Sequence, residues 1–266
     1  MRIGIFDSGL GGLVMAEAIR KFLPQYDYVY FGDTLHVPYG ARSKQAVYQY
    51  TEQAMDYLFR HENCALIIIA CNTATAHAAR LLQQFYLRRA YPDRRILGVV
   101  IPTLEHTIDM GCTRIGMLAT AGLIESRIYQ EELSKLNPDI AFFGKASPLL
   151  VPMLENGGQQ WIAPVLDQYI APLLDEKIDS LILGCTHYPI LKQDIQNAVG
   201  DDVRLISQDD IIPLKLQDYL TRHDDMQGRL GQNGTIKYVV SDITPSYQNA
   251  ANIIAQGDVI LEKPVR

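Results

Sequence analysis

Two cysteines sit in nearly the same setting in different halves of the chain. Leu66-Ile67-Ile68-Ile69-Ala70-Cys71-Asn72-Thr73 is an aliphatic run, a small residue, the cysteine and then polar side chains. Leu181-Ile182-Leu183-Gly184-Cys185-Thr186-His187 repeats that plan. A thiol tuned near working pH can accept or deliver a proton. Inversion of a carbon centre by proton transfer needs a base on one face and an acid on the other, so a duplicated thiol suits it. A hydrolase would instead pair one cysteine with a base and an orienting group, an arrangement the two symmetric cysteines do not suggest. Either cysteine alone reads as an ordinary buried residue; the duplication points to function.

The neighbours add to this. His187 lies two residues after Cys185, within reach of the thiol or a ligand in a turn. Each cysteine is followed by polar residues and then a helix, whose N-terminal N–H groups would hold a substrate carboxylate. Phe6-Asp7-Ser8-Gly9-Leu10-Gly11-Gly12 places a carboxylate, a hydroxyl and a glycine-rich turn after the first strand. Its spacing is neither G-x-G-x-x-G nor a P-loop, and Asp7 or Ser8 could simply cap a helix there. Gly32-Asp33-Thr34-Leu35-His36-Val37-Pro38-Tyr39-Gly40 forms a second such loop.

No metal site is expected: the 6 histidines show no H-E-x-x-H spacing and the 4 cysteines no C-x-x-C. The net charge of −6 argues against a nucleic-acid or anionic-membrane surface as the main partner. The longest apolar run is strand-sized, so no membrane span is expected. With no leader-like start and four scattered thiols, the reading is a cytoplasmic protein in a reducing compartment.

Elements must hold these residues. Short runs rich in Val, Ile, Tyr and Phe read as ten strands: 3–6, 28–31, 66–70, 96–100, 114–118, 140–143, 181–183, 203–206, 236–240 and 259–261. Helical stripes lie between them. One is Val47, Tyr50, Ala54 and Leu58, starting near Ser43. A second is Ala78, Leu81, Leu82 and Phe85; a third is Ile190, Leu191, Ile195 and Val199 after Pro189. The alternation predicts an α/β fold with mostly parallel sheets flanked by helices. The echo predicts two pseudo-symmetric lobes with the active site in the cleft between them. The expected boundaries are 1–97, completed by 209–266, and 98–208. Ligands bind beyond the carboxyl ends of strands in such sheets, where both cysteines fall. A helix N-terminus after each would lower a thiol's pKa and favour an anion.

Five segments together resemble the bacterial glutamate racemases of the aspartate/glutamate racemase family. They are Phe-Asp-Ser-Gly-Leu-Gly-Gly at 6–12, Tyr-Phe-Gly-Asp-Thr at 30–34, Pro-Tyr-Gly at 38–40, Ala-Cys-Asn-Thr-Ala at 70–74 and Leu-Gly-Cys-Thr-His-Tyr-Pro at 183–189. The resemblance implies interconversion of L- and D-glutamate without pyridoxal phosphate, metal or other cofactor, supplying D-glutamate for peptidoglycan. It implies that Cys71 deprotonates D-glutamate and Cys185 L-glutamate. Asp7 would stand beside the first thiol and His187 beside the second, with Glu155 in support. Asp7, Ser8, Pro38, Tyr39, Gly40, Asn72, Thr73, Thr120, Thr186 and His187 would hold the substrate. The resemblance is also compatible with a homodimer.

Some positions depart from the family pattern. Leu123 stands where Thr-x-x-Thr would end, a replacement expected to remove a polar contact and affect specificity. Leu35-His36, Ala146-Ser147-Pro148 and Ser207-Gln208-Asp209 also differ. The alternatives are a racemase of the same fold acting on aspartate or another amino acid, and a non-catalytic regulatory homologue.

Overall fold

The computed structural model describes residues 1–155 and 157–265. Arg266, the last residue of the segment expected to return to the first lobe, lies outside the described residues. The chain begins β1 (Arg2–Asp7), α1 (Leu13–Phe22), β2 (Tyr28–Gly32), α2 (Lys44–Arg60) and β3 (Cys64–Ile69). A helical run over 72–90 follows, with α3 (Asn72–Ala74) and α4 (Leu87–Ala90) at its ends, then β4 (Arg95–Gly98) and α5 (Val100–Asp109). Next come β5 (Arg114–Ala119), α6 (Ala121–Ser126), α7 (Ile128–Leu136), β6 (Ala141–Ala146), α8 (Leu150–Glu155) and α9 (Ile162–Asp175). The chain continues through β7 (Ser180–Gly184), α10 (Lys192–Val199), β8 (Arg204–Ile206), α11 (Gln208–Arg222) and α12 (Asp224–Gln227). It closes with β9 (Ile236–Val240), α13 (Pro245–Ala255) and β10 (Leu261–Glu262).

The strands form two sheets, ordered β10-β9-β2-β1-β3-β4 and β6-β5-β7-β8. Every pairing within them is parallel. The aliphatic runs form inner strands because both faces are covered by helices. In β3, Leu66 and Ile68 join one core cluster while Ile67 and Ile69 join the cluster on the opposite face. In β7, Leu181 and Leu183 face one cluster and Ile182 another. Each fully buried aliphatic side chain contributes about 1.5–3 kcal/mol, so these short strands are firmly seated.

The topology fixes where a ligand can enter. In the first sheet β2 and β3 lie on opposite sides of β1, so the chain leaves neighbouring strand ends in opposite directions. In the second, β6 and β7 do the same around β5. A crevice opens at such reversal points. Asp7 and Cys71 stand at one of them, Thr120 and Cys185 at the other.

Two expected stripes are out of phase. Over 72–90 the backbone widens into π turns at Thr75–Ala79 and Leu82–Tyr86. Residues four apart, Ala78, Leu82 and Tyr86, then share the buried face, while Leu81 and Phe85 are 45% and 65% exposed. Ile190 is exposed as well. Tyr188–Leu191 is a 3-10 turn, tighter than an α-helix, so only Leu191, Ile195 and Val199 of that stripe are buried.

Candidate active site

Both cysteines line one cleft of about 360 Å³. Its walls also carry Ser8, Pro38, Tyr39, Gly40, Asn72, Thr73, Thr120, Glu155, Thr186 and His187. Every expected site residue except Asp7 is therefore in the lining. Asp7 is fully buried beneath it, its carboxylate accepting from the Gly9 N–H at 3.0 Å, the Gly12 N–H at 3.1 Å and the Thr186 hydroxyl at 3.3 Å. It supports the loop and reaches the other lobe from below instead of facing the cleft.

The glycines of that loop make the close approach possible. A Cβ added to Gly12 would lie 2.4 Å from Asp7 Cβ, and one on Gly11 would lie 2.5 Å from His187 Nδ1 and 2.6 Å from Thr186 Oγ1. The loop thus packs its backbone directly against the Cys185 side of the site. Elsewhere, Thr73 Oγ1 and Thr120 Oγ1 lie 3.2 Å apart, and Tyr39 donates its hydroxyl to Asp33 at 2.7 Å.

The two thiols have different surroundings. Cys71 caps α3: its Sγ accepts from the Ala74 N–H at 3.4 Å and lies 3.3 Å from Ser8 Oγ. Burial and the Asp7 charge nevertheless push the Cys71 thiol up to about 12, outweighing those two contacts. This corrects the expectation that a helix end lowers the pKa of this thiol. Among the described residues one N–H, that of Ala74, reaches the sulfur, and a carboxylate lies nearby in a desolvated site. Asp7 itself is raised by burial, opposed by the His187 charge and by its Gly12, Gly9 and Thr186 hydrogen bonds.

Cys185 Sγ is 3.8 Å from His187 Nδ1, and His187 Nε2 is 3.0 Å from Glu155 Oε1. Burial pulls the imidazole down, but its hydrogen bonds to Cys185 and Glu155, together with their charges, push it up to about 10. Held between a carboxylate and the second thiol, His187 is shifted toward its protonated form.

Among the described residues, no lysine or arginine lines this cleft; its donors are hydroxyls, an amide, backbone N–H groups and His187. Among the described residues no group of three His, Cys, Asp or Glu is arranged to hold a metal ion. A second cavity, about 330 Å³, lies under α5 and α11 and has no thiol or histidine in its lining.

Leu123 corrects a further expectation. It is 1% exposed in the core with Val100, Met117 and Tyr129, and is not part of the cleft wall. Thr120 is the extended N-cap of α6, folded back to accept the Leu123 N–H at 3.3 Å, so positions 120 and 123 do not share a face toward the cleft. Sequence reasoning also left out Ser147, which lines the cleft within 2.6 Å of the Tyr188 hydroxyl. Its only signal was the unusual Ala-Ser-Pro.

The model of the Asp/Glu/hydantoin racemase family matches residues 14–211. The chain belongs to that family. Among its relatives, the glutamate racemase of Dinoroseobacter shibae is 35% identical over 242 residues, covering 86% of this chain and 87% of the relative. The glutamate racemase of Aquifex aeolicus is 39% identical over 222 residues, covering 83% and 84%. Among solved structures, glutamate racemase from Francisella tularensis in complex with D-glutamate aligns over 100% of this chain and 97% of its own. The TM-score is 0.88 and the identity 29%. Racemase chemistry needs a proton donor and acceptor at one carbon, and the two thiols of the shared cleft are groups of that kind. No helix among the described residues is long and apolar enough to cross a membrane.

Proposed function

We propose that the protein is a glutamate racemase, interconverting L- and D-glutamate by proton transfer between Cys71 and Cys185 and supplying D-glutamate for peptidoglycan in the cytoplasm. The observation that carries this reading is that both thiols, each at a reversal point of its own sheet, open into the same cleft. The family relationship supports the substrate.

The α-proton of a free amino acid is weakly acidic because the adjacent carboxylate is already anionic. Neutral donors from Asn72, Thr73, Thr186 and the backbone stabilise the charge that grows there, and do so best in a site shielded from water. Cys185, beside His187, takes the proton from L-glutamate while Cys71 gives its own to the opposite face. The high pKa of the Cys71 thiol suits it to the acid role in that direction. In reverse the roles exchange, with Cys71 as the base and Cys185 as the acid. Glu155 holds the imidazole that faces Cys185.

The test is turnover of each enantiomer by Cys71→Ser and Cys185→Ser, with aspartate and other amino acids in parallel. Removal of an acid or base group is worth roughly 10²- to 10⁴-fold. Wild-type turnover by either variant defeats the two-thiol reading. Turnover of aspartate in preference to glutamate defeats the substrate assignment alone.

A further inference from the structure

Asn72 follows the first thiol and lines the cleft, yet most of its polar capacity is spent away from it. Its Nδ2 donates to Gln208 Oε1 at 2.7 Å. Its Oδ1 accepts from Gln208 Nε2 at 2.9 Å and from the Tyr129 hydroxyl at 2.8 Å. Gln208 Nε2 also reaches the Tyr129 hydroxyl at 3.0 Å and Thr103 Oγ1 at 3.2 Å. All four residues are buried. They come from α3, α5, α7 and the start of α11, so the cluster ties the Cys71 loop to the elements around the second sheet.

The hydrogen bonds have a fixed direction. A side-chain amide can turn over, exchanging its oxygen and nitrogen, unless a neighbour decides which must face it. Thr103 makes that decision. Its hydroxyl has one hydrogen, given to the Val99 carbonyl at 2.6 Å, so toward Gln208 it can only accept. Gln208 must therefore turn its NH₂ to Thr103 and its oxygen to Asn72. Asn72 must then turn its NH₂ to Gln208, while both acceptor sites of its oxygen are filled by Gln208 and Tyr129. The one polar valence left on the Asn72 side chain is its second N–H.

We propose that Gln208, oriented by Thr103, is a positioning residue that fixes Asn72 as a hydrogen-bond donor toward the substrate carboxylate. The inference rests on the racemase reading for its ligand and on the buried cluster for its geometry. Gln208 touches no reacting atom; it acts by preventing Asn72 from presenting an oxygen, which would repel a carboxylate.

The experiment measures kcat and KM for both glutamate enantiomers in Gln208→Leu, Asn72→Ala and the double variant. Gln208→Leu should lower kcat/KM roughly 10- to 100-fold, the size of one hydrogen bond to a charged group, mainly through a higher KM. The double variant should be no worse than Asn72→Ala, because one residue acts through the other. Thr103→Val should move KM in the same direction, and Thr103→Ser, which keeps the hydroxyl, should restore it. These milder variants answer the question should Gln208→Leu fail to fold. In ¹⁵N-labelled protein without substrate, the Asn72 side-chain amide protons should exchange with water faster in Thr103→Val than in wild type. That readout stands even if glutamate is not the substrate. Wild-type KM in folded Gln208→Leu or Thr103→Val, additive losses in the double variant, or unchanged Asn72 exchange would each overturn the proposal.

Discussion

Gly11→Ala adds one methyl group to the loop that packs against the Cys185 side of the site. Its carbon would stand 2.5 Å from His187 Nδ1 and 2.6 Å from Thr186 Oγ1, whereas comfortable contact begins near ~3.5 Å. Relief requires about 1 Å of movement. Both obstructing side chains belong to the segment carrying Cys185, so either His187 turns away or the lobes separate. His187 cannot shift that far and keep both its 3.8 Å approach to Cys185 and its 3.0 Å contact with Glu155. A displacement of this size near reacting groups costs about 10²-fold in rate. The overpacking itself costs about 1–3 kcal/mol, or about 2–4 °C of Tm for each kcal/mol in a chain of this size. The assay is kcat/KM for both enantiomers at 25 °C, where the variant remains folded, beside a thermal melt. Because the enantiomers have equal free energy, kcat/KM must fall equally in both directions. Gly257→Ala, whose added carbon meets nothing nearer than 4.0 Å, serves as the control and should match wild type. A Gly11→Ala protein with wild-type Tm and kcat/KM within twofold of wild type would refute this packing argument.

Two further expectations concern pH and the core. His187 has its pKa raised from 6.5 to about 10 in the folded protein, so its stabilising contribution is complete below pH ~6.5 and is lost as pH rises toward ~10. The raised Cys71 thiol acts in the same direction at still higher pH. Stability from urea unfolding should fall by up to about 1.4 kcal/mol per pH unit across that window, and His187→Gln should flatten the slope; an identical slope in the variant would contradict the assignment. Leu123→Thr trades a buried aliphatic for a hydroxyl in the core and should cost about 2–3 kcal/mol. It should leave the glutamate-to-aspartate preference unchanged, and a shift in that preference would return position 123 to the substrate site.

The inner strands are visible in the sequence because parallel strands covered on both faces must be continuous aliphatic runs, as Leu66–Ile69 shows. The cysteines are legible for a related reason: each follows such a run at its carboxyl end, where chain reversal leaves a crevice. Helix phase is harder to read. The π turns after Ala74 change the residue spacing without a compositional signal, so Leu81 and Phe85 look like core and are not. Leu123 misleads because the capping geometry of Thr120 breaks the helical periodicity that would pair the two positions. The protonation of Cys71 also lies beyond the sequence, since it depends on how much Asp7 and burial outweigh a single N–H. Gln208 stands out from the family pattern, but its role depends on a contact 136 positions away in the chain.

The two-thiol account is tested most directly by racemisation in heavy water. L-glutamate is incubated with the wild-type protein, without added cofactor, and both enantiomers are recovered after only a small fraction has reacted. The account expects the newly formed D-glutamate to carry one α-deuterium and the remaining L-glutamate to carry essentially none, because one thiol removes the proton and another delivers a solvent-derived deuteron. The same asymmetry is expected starting from D-glutamate. Product that retains the substrate's own α-hydrogen, or remaining substrate labelled as fast as product forms, would mean that a single group serves both faces and would contradict the account.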